Sequence, residues 1–420
     1  MKIRTKQKSF QEVMAMPPMK HRKPLRPTIL FRTLLRLLSI FELTATHFKY
    51  RDIGMEKLGK DEPCLILMNH SSFIDLQIAA TIFFSRRFNI VCTSDGFVGK
   101  EWLMRCLGCI PTRKFVSDSV LVRDMVYAVR KLKCSILMYP EASYSFDGTA
   151  TTLPESLGKC VKLLGIPVVM VRTYGAFARQ PLYNNLHRRK VRVSADVEYL
   201  LSSEDIVSKS ADEINELLRE RFSFDNFKWQ QENQIKIADK NRAEALNRVL
   251  YKCPHCMQEG KMVGQGITII CESCGNGYEL TEYGYLEPLQ EEVKFTHIPD
   301  WYQWERECVR KELEEGTYYL DVPVEICIMA DTRSIYKVGK GRLTHSVEGF
   351  TLTGCDGQLH YEQKPSASYS LYSDYYWYEL GDIICIGDNN RLYYCFPEGE
   401  SDVVAKTRLA AEELYKMKKS

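Results

Sequence analysis

From about residue 60 to 205, short apolar runs alternate with segments whose apolar residues recur at helical spacing. Cys64–Met68, Phe88–Cys92, Ser135–Tyr139 and Pro167–Val171 read as buried strands. A helix is expected near Phe73–Phe84. Another spans Asp118–Lys133, where Leu121, Met125, Ala128 and Leu132 share a face. Pro154 opens a further helix and Gly165 closes it, because proline suits a helix start and glycine the position just past its end. Strands and helices in this alternation predict an α/β domain, with a mixed sheet flanked by helices.

Upstream, residues 28–48 form a run with Arg32, Arg36 and Ser39 on one helical face. Ile29, Leu30, Leu34, Leu37, Leu38 and Phe41 form a broad apolar stripe. A spanning helix needs about 20 residues with few or no charges, and this run is broken by Arg32, Arg36 and Glu42. A basic, apolar helix of this kind rests in a membrane interface; packing as an ordinary first helix of its own domain is the alternative.

Downstream, residues 210–250 are charged and helix-prone, ending the α/β domain and continuing as a connector. A compact Cys-rich segment follows, and then short alternating strands with Gly, Asp and Asn turns. A helix over Asp402–Lys418, with Val403, Thr407, Ala411 and Leu414 on one face, comes last. The expected divisions are a basic N-terminal arm (1–27), the α/β domain with its interfacial helix (28–225), a helical connector (226–250), a Cys-rich unit (251–290) and a mainly-β domain with a C-terminal helix (291–420).

Composition agrees with several domains, since 420 residues exceed one ordinary core and 45% apolar residues exclude a mainly disordered chain. The net charge of +3 hides an asymmetry. Residues 1–36 hold ten Lys/Arg against Glu12 alone, whereas the rest holds 47 bases and 53 acids. That argues against wrapping nucleic acid along the chain and for an arm on an anionic membrane surface. Fifteen cysteines, several in apolar strands, and no secretory pattern place the expected setting in a reducing compartment. The expected location is the cytosolic face of a membrane, peripherally bound.

Cys253-Pro-His-Cys256 and Cys271-Glu-Ser-Cys274, separated by fourteen residues, have the spacing of a zinc ribbon. A redox pair would need one such motif beside a βαβ unit, not two in a hairpin-rich stretch. Four cysteines leave no open coordination position, so the zinc is expected to be structural, with His255 a bystander. Between 251 and 290, Lys252 and Lys261 face five glutamates, too acidic for a nucleic-acid role.

Within the α/β domain, a strand ends at Met68 and leads into Asn69-His70-Ser71-Ser72-Phe73-Ile74-Asp75. Histidine suits proton transfer near neutral pH, and Asp75 can bond its second ring nitrogen. No G-x-S-x-G nucleophile motif occurs, so the base would activate a hydroxyl of the substrate. A lone histidine near a strand end is also commonly a capping or core residue; its company decides the weighing.

His70–Asp75, then Gly108–Lys114 (GCIPTRK), Tyr139–Ser145 (YPEASYS) and Gly165–Val171 (GIPVVMV) follow in order. Over roughly residues 28–205 this set resembles the glycerophospholipid acyltransferase family, the 1-acylglycerol-3-phosphate acyltransferases. The resemblance implies that His70 is the general base, oriented by Asp75, with an acyl thioester on coenzyme A or acyl carrier protein as donor and no acyl-enzyme. It implies acceptor binding by Arg113 and Glu141, with Ser143 and Ser145 in the same block, and a lysophospholipid acceptor, 1-acylglycerol-3-phosphate first. The third block departs from the family's Glu-Gly-Thr-Arg-Ser: Tyr144 stands where the arginine would be. Tyrosine cannot pair bidentately with phosphate, which leaves the head group open. A non-catalytic membrane adaptor with a degenerate acyltransferase domain is the competing reading.

The last domain's strand series and closing helix resemble a PH-like or GRAM-like domain, a module that binds lipid head groups or protein partners. Its basic cluster, Lys337, Lys340 and Arg342, reads as a solvated hairpin, and the aromatic run Tyr369–Tyr378 as sheet packing.

Overall fold

The computed structural model describes residues 2–116, 118–399 and 403–419. Its α/β domain is built on a seven-stranded sheet in the order Lys49–Ile53, Ser194–Leu201, Val168–Tyr174, Leu65–Met68, Ser135–Met138, Phe88–Thr93, Cys109–Thr112. All neighbours are parallel except Val168–Tyr174 with Ser194–Leu201, which pair antiparallel. Side chains alternate across the sheet. Leu65 and Leu67 join Met125, Ala128 and Val161 on one face, while Ile66 and Met68 join Ile74, Ile78 and Val169 on the other.

The flanking helices are Ile74–Ile82, Ser119–Arg130, Leu157–Leu164 and Ala211–Phe222. Asp118 caps the second by accepting from the N–H groups of Val120 and Leu121. Gly165, at φ 62°, ends the third, as expected. Helix Ile29–Ala45 turns its polar side inward: Ser39 is buried, and Arg32 donates to the carbonyls of Phe84 and Arg86. Its apolar stripe faces outward, with Leu30 69% and Phe41 79% exposed.

The N-terminal arm differs from expectation. Thr5–Gln7 forms a strand parallel to Ile335–Lys337, in the edge position left free where the neighbouring strand pairs only from Gly341 onward. Ile3 and Val13 are buried, and Ser9 and Glu12 form a capping box on helix Phe10–Met14. Farther along, His21 meets Asp124 and the carbonyl of Leu25 accepts from Asn89. Apolar anchors and backbone pairing thus hold much of this segment against the body of the protein.

The connector is also corrected. Only Asn226–Glu232 is α-helical, followed by turns and a short 3-10 segment at Leu246–Arg248. Residues 243–245 instead hydrogen-bond along the Cys-rich unit, Ala243 N–H to Gly266 O and Ala245 N–H to Gly264 O, both at 2.9 Å. A Cβ on Gly264 would lie 2.5 Å from the Ala243 carbonyl, so only glycine permits that approach.

The Cys-rich unit is a four-stranded antiparallel sheet, Leu286–Pro288, Gly277–Leu280, Thr268–Cys271, Met262–Gln265. A helix the periodicity reading did not isolate, Ile298–Glu314, packs beside it through Trp301, whose indole donates to the Lys252 carbonyl at 3.0 Å. The last domain carries seven strands in the order Leu359–Gln363, Gly349–Gly354, Ile335–Ser346, Leu320–Met329, Leu392–Pro397, Gly381–Gly387, Tyr372–Trp377, with Thr5–Gln7 added. Two expected strands, at 335–338 and 341–346, are one strand, opposite a bulge between Ile326 and Cys327. The closing helix runs Val403–Lys419, with Val404, Leu409 and Leu414 buried; Asp402, expected as its start, lies outside the described residues.

Candidate active site

In an open parallel sheet, ligands gather beyond the carboxyl ends of the strands. Here Leu65–Met68 delivers His70, Ser135–Met138 delivers Tyr139 and Glu141, and Cys109–Thr112 delivers Arg113 and Lys114 to that edge. Asn69 sets the first of these turns. Its Oδ1 accepts from the Thr173 N–H at 2.9 Å and its Nδ2 donates to Ser71 Oγ at 3.1 Å, tying the loop to the neighbouring strand.

Asp75, in the first turn of the next helix, reaches back. Its Oδ2 lies 3.2 Å from His70 Nδ1 and accepts the N–H groups of Ser71 and Ser72 at 2.7 and 3.0 Å. With Nδ1–H donating to the carboxylate, Nε2 is left as the basic nitrogen. Burial pushes His70 below the usual imidazole range while the Asp75 contact opposes it, a balance that favours the neutral ring. The imidazole lies between two tyrosines, 4.3 Å from the Tyr139 ring centroid and 4.2 Å from that of Tyr144. Tyr144, which departs from the expected third block, therefore covers a face of the His70 ring.

Residues expected to bind substrate are placed less simply. Glu141 is buried, and its carboxylate accepts from the backbone of His70 (2.8 Å) and of Thr151 (2.7 Å). Burial pushes it up to about 7 against those two hydrogen bonds. It braces the His70 loop from behind instead of facing the cavity. Ser143 Oγ accepts from Arg408 of the C-terminal helix at 2.9 Å, and Ser145 Oγ closes a turn by accepting from Gly148 N–H at 2.9 Å. Both hydroxyls are buried in protein contacts. Arg113 lines the cavity but donates to the backbone carbonyl of Asn389 in the last domain.

The cavity in front of His70 has a volume of about 1470 Å³. Its walls come from two domains. Leu76, Met104, Met125 and Met138 supply apolar lining from the α/β domain, while Tyr372, Asp374, Tyr376, Trp377 and Tyr378 close it from the last β domain. Lys114 sits at that seam with its ammonium over the Tyr372 ring, 4.3 Å from the centroid. Asp374 carries no motif signal. Lys114 follows Arg113 in the second block, which was the one available hint; Asp374 reaches the cavity only through domain packing.

The four cysteines come together as their spacing implied. All four Sγ atoms lie within 4.8 Å of one another, with Cys253–Cys274 and Cys256–Cys271 both at 3.7 Å. That is far beyond a disulfide and matches the roughly 3.8 Å edge of a tetrahedron with Zn–S bonds of about 2.3 Å. The donor set fits zinc. His255 bonds Tyr278 (3.0 Å) and stays outside it.

The family model described as Acyltransferase matches residues 49–173. That segment is an acyltransferase-family domain. The acyltransferase domain thus holds the His70–Asp75 pair and the strand ends around it. A solved structure, the 1-acyl-sn-glycerophosphate (LPA) acyltransferase PlsC from Thermotoga maritima, is similar over 46% of this chain and 76% of its own, at 15% identity and a TM-score of 0.38. No curated protein matches the chain.

Proposed function

We propose that the chain is an O-acyltransferase that moves a fatty acyl group from acyl-CoA or acyl carrier protein to the free hydroxyl of a lysophospholipid, with 1-acylglycerol-3-phosphate as the reference acceptor. The observation carrying this reading is the His70–Asp75 pair, in the segment matched by the Acyltransferase family model, opening onto a large cavity walled by two domains. His70 Nε2 takes the hydroxyl proton as the acceptor oxygen attacks the thioester carbonyl. Asp75 stabilises the imidazolium that forms. The tetrahedral intermediate then collapses, the C–S bond breaks, and the departing thiolate takes the proton from Nε2. The ester forms with no acyl-enzyme.

The outward stripe of helix Ile29–Ala45 supports a peripheral membrane site at the cytosolic face. Leu30, Leu34, Leu37, Leu38 and Phe41 are all exposed, and Leu35 and Glu42 of the same helix line the cavity. Among the described residues no helix is long and apolar enough to cross a membrane. Zinc at the four cysteines would hold the ribbon's two knuckles together and supplies no step of the reaction. Seven antiparallel strands in a four-plus-three order, closed by a helix, support the PH-like reading of the last domain.

Replacing His70 with Ala tests the reaction: acyl transfer to lysolipids should disappear with the fold intact. The adaptor reading draws support from Arg113 and Ser143, both engaged by the last domain, and it wins if His70→Ala leaves transfer unchanged.

A further inference from the structure

We propose that the acyl acceptor carries, beyond its phosphate, a hydrogen-bond donor such as an ammonium or a hydroxyl, and that Asp374 of the last β domain reads it; this rests on the acyltransferase function above.

Three observations carry the assignment. Asp374 lines the same cavity as His70, although it lies 304 positions later in the chain. Its Oδ1 is buried with no hydrogen-bond partner. A buried carboxylate oxygen without a donor is costly, and turning the carboxyl so that this oxygen faces the cavity, where a ligand supplies the donor, removes that cost. The strand that bears it is also distorted at this point. Pairing with Gly381–Gly387 slips between Asp374 and Trp377, and Tyr376 adopts φ 51°. Bulges of this kind re-aim side chains. Here Asp374 lines the cavity among Tyr372, Tyr375, Tyr376, Trp377 and Tyr378 of the aromatic run.

The charge pattern selects the ligand. Lys114 lines the cavity at the same seam, held on the Tyr372 ring; burial pushes its ammonium below the usual lysine range, and the Asp374 charge opposes that shift. Burial pushes Asp374 up to about 7, with Lys114 opposing. No ion pair joins them among the described residues. A doubly charged phosphomonoester would satisfy Lys114 but confront Asp374 with like charge. A phosphate followed by a donor satisfies both: the anion on Lys114, the donor on Asp374. The last β domain is then part of the acceptor site, and Asp374 is a specificity residue.

The test uses the full chain and lysolipids of one acyl length: lysophosphatidic acid, lysophosphatidylglycerol and lysophosphatidylethanolamine, with both thioester donors. The wild type should favour an acceptor bearing a donor by about tenfold or more in kcat/KM. Asp374→Ala should raise KM for that acceptor by a similar factor and lower it for lysophosphatidic acid, whose phosphate no longer meets a like charge. Asp374→Asn, nearly isosteric, guards against a folding defect. It should retain more of a hydroxyl acceptor than of an ammonium one, which separates the two donors. Preference for lysophosphatidic acid, or equal losses for every acceptor at unchanged Tm, would overturn the assignment. If no acceptor is acylated, the enzymatic reading fails by itself. Calorimetric binding of the same monomeric lysolipids then decides: selectivity that depends on Asp374 sustains the assignment, and indifference to the head group removes it.

Discussion

His70 Nδ1 lies 3.2 Å from Asp75 Oδ2, and that oxygen also anchors the N–H groups of Ser71 and Ser72. One atom therefore orients the His70 ring and shapes the turn that presents it. Its partner Oδ1 is buried and unbonded, so an asparagine amide placed there would leave the carbonyl oxygen on the two backbone donors.

Asp75→Asn should thus fold normally and lower kcat by about 10²–10⁴, with KM little changed, because the imidazolium loses its counter-charge. Asp75→Ala strips two buried N–H groups of their acceptor and should also destabilise the protein by about 1–3 kcal/mol for each donor left unpaired. Steady-state kinetics beside thermal melts separate the two effects.

The pH dependence follows from the same pair. Burial lowers His70 and Asp75 raises it. The acid limb of kcat/KM should fall below the free imidazole value of about 6.5. Asp75→Asn should move it lower still. A limb near 7 that vanishes in Glu141→Gln would instead belong to Glu141, whose protonation would weaken its hold on the His70 backbone.

Glu412, in the C-terminal helix, accepts from Arg408 (3.2 Å) and Ser370 (2.7 Å) and pairs with Arg306 at 2.8 Å. Burial acts to raise its carboxyl, but the two guanidinium groups outweigh it and hold it at about 2. A carboxylate depressed in the folded state contributes stability above its unfolded value, about 4.5, and loses it as pH falls through 2. Wild type should lose stability across that window, and Glu412→Gln should be less stable at neutral pH with a flatter acid profile. Urea melts at pH 2.5–7 check this.

The ribbon should bind one zinc ion per chain, and a strong chelator or Cys253→Ser should lower Tm substantially. Structural zinc is worth on the order of 10–16 kcal/mol in small peptides. The effect should spread beyond the ribbon, since Lys252 N–H donates to Glu305 and Trp301 donates to the Lys252 carbonyl. Metal analysis with calorimetry reads both.

On the outward helix, Leu34→Asp with Leu38→Asp and Phe41→Asp should abolish sedimentation with anionic vesicles and leave the melting curve within a degree or two. Each large apolar side chain buried in lipid contributes roughly 1.5–3 kcal/mol. Unchanged vesicle binding would remove the interfacial role of this helix.

The chain's own pattern determined what depends on neighbours in sequence. The α/β alternation, the Asp118 and Gly165 helix ends, the His70–Asp75 spacing and the paired cysteines are short-range, so period and spacing expose them. The inward polar face of helix Ile29–Ala45 was legible as a stripe, but which side met the protein was not, because a helical pattern has no label for its partner. Tertiary structure alone decided the rest. Residues 5–7 enter a sheet 330 positions away because an edge there is unpaired. Residues 243–245 leave a helix-prone run because Gly264 admits their backbone. Ser143 and Glu141 turn from the cavity because Arg408 and backbone N–H groups claim them first. Asp374 enters the cavity because one domain's bulged strand closes over another's strand ends, an arrangement set by packing between distant surfaces and written in no local spacing.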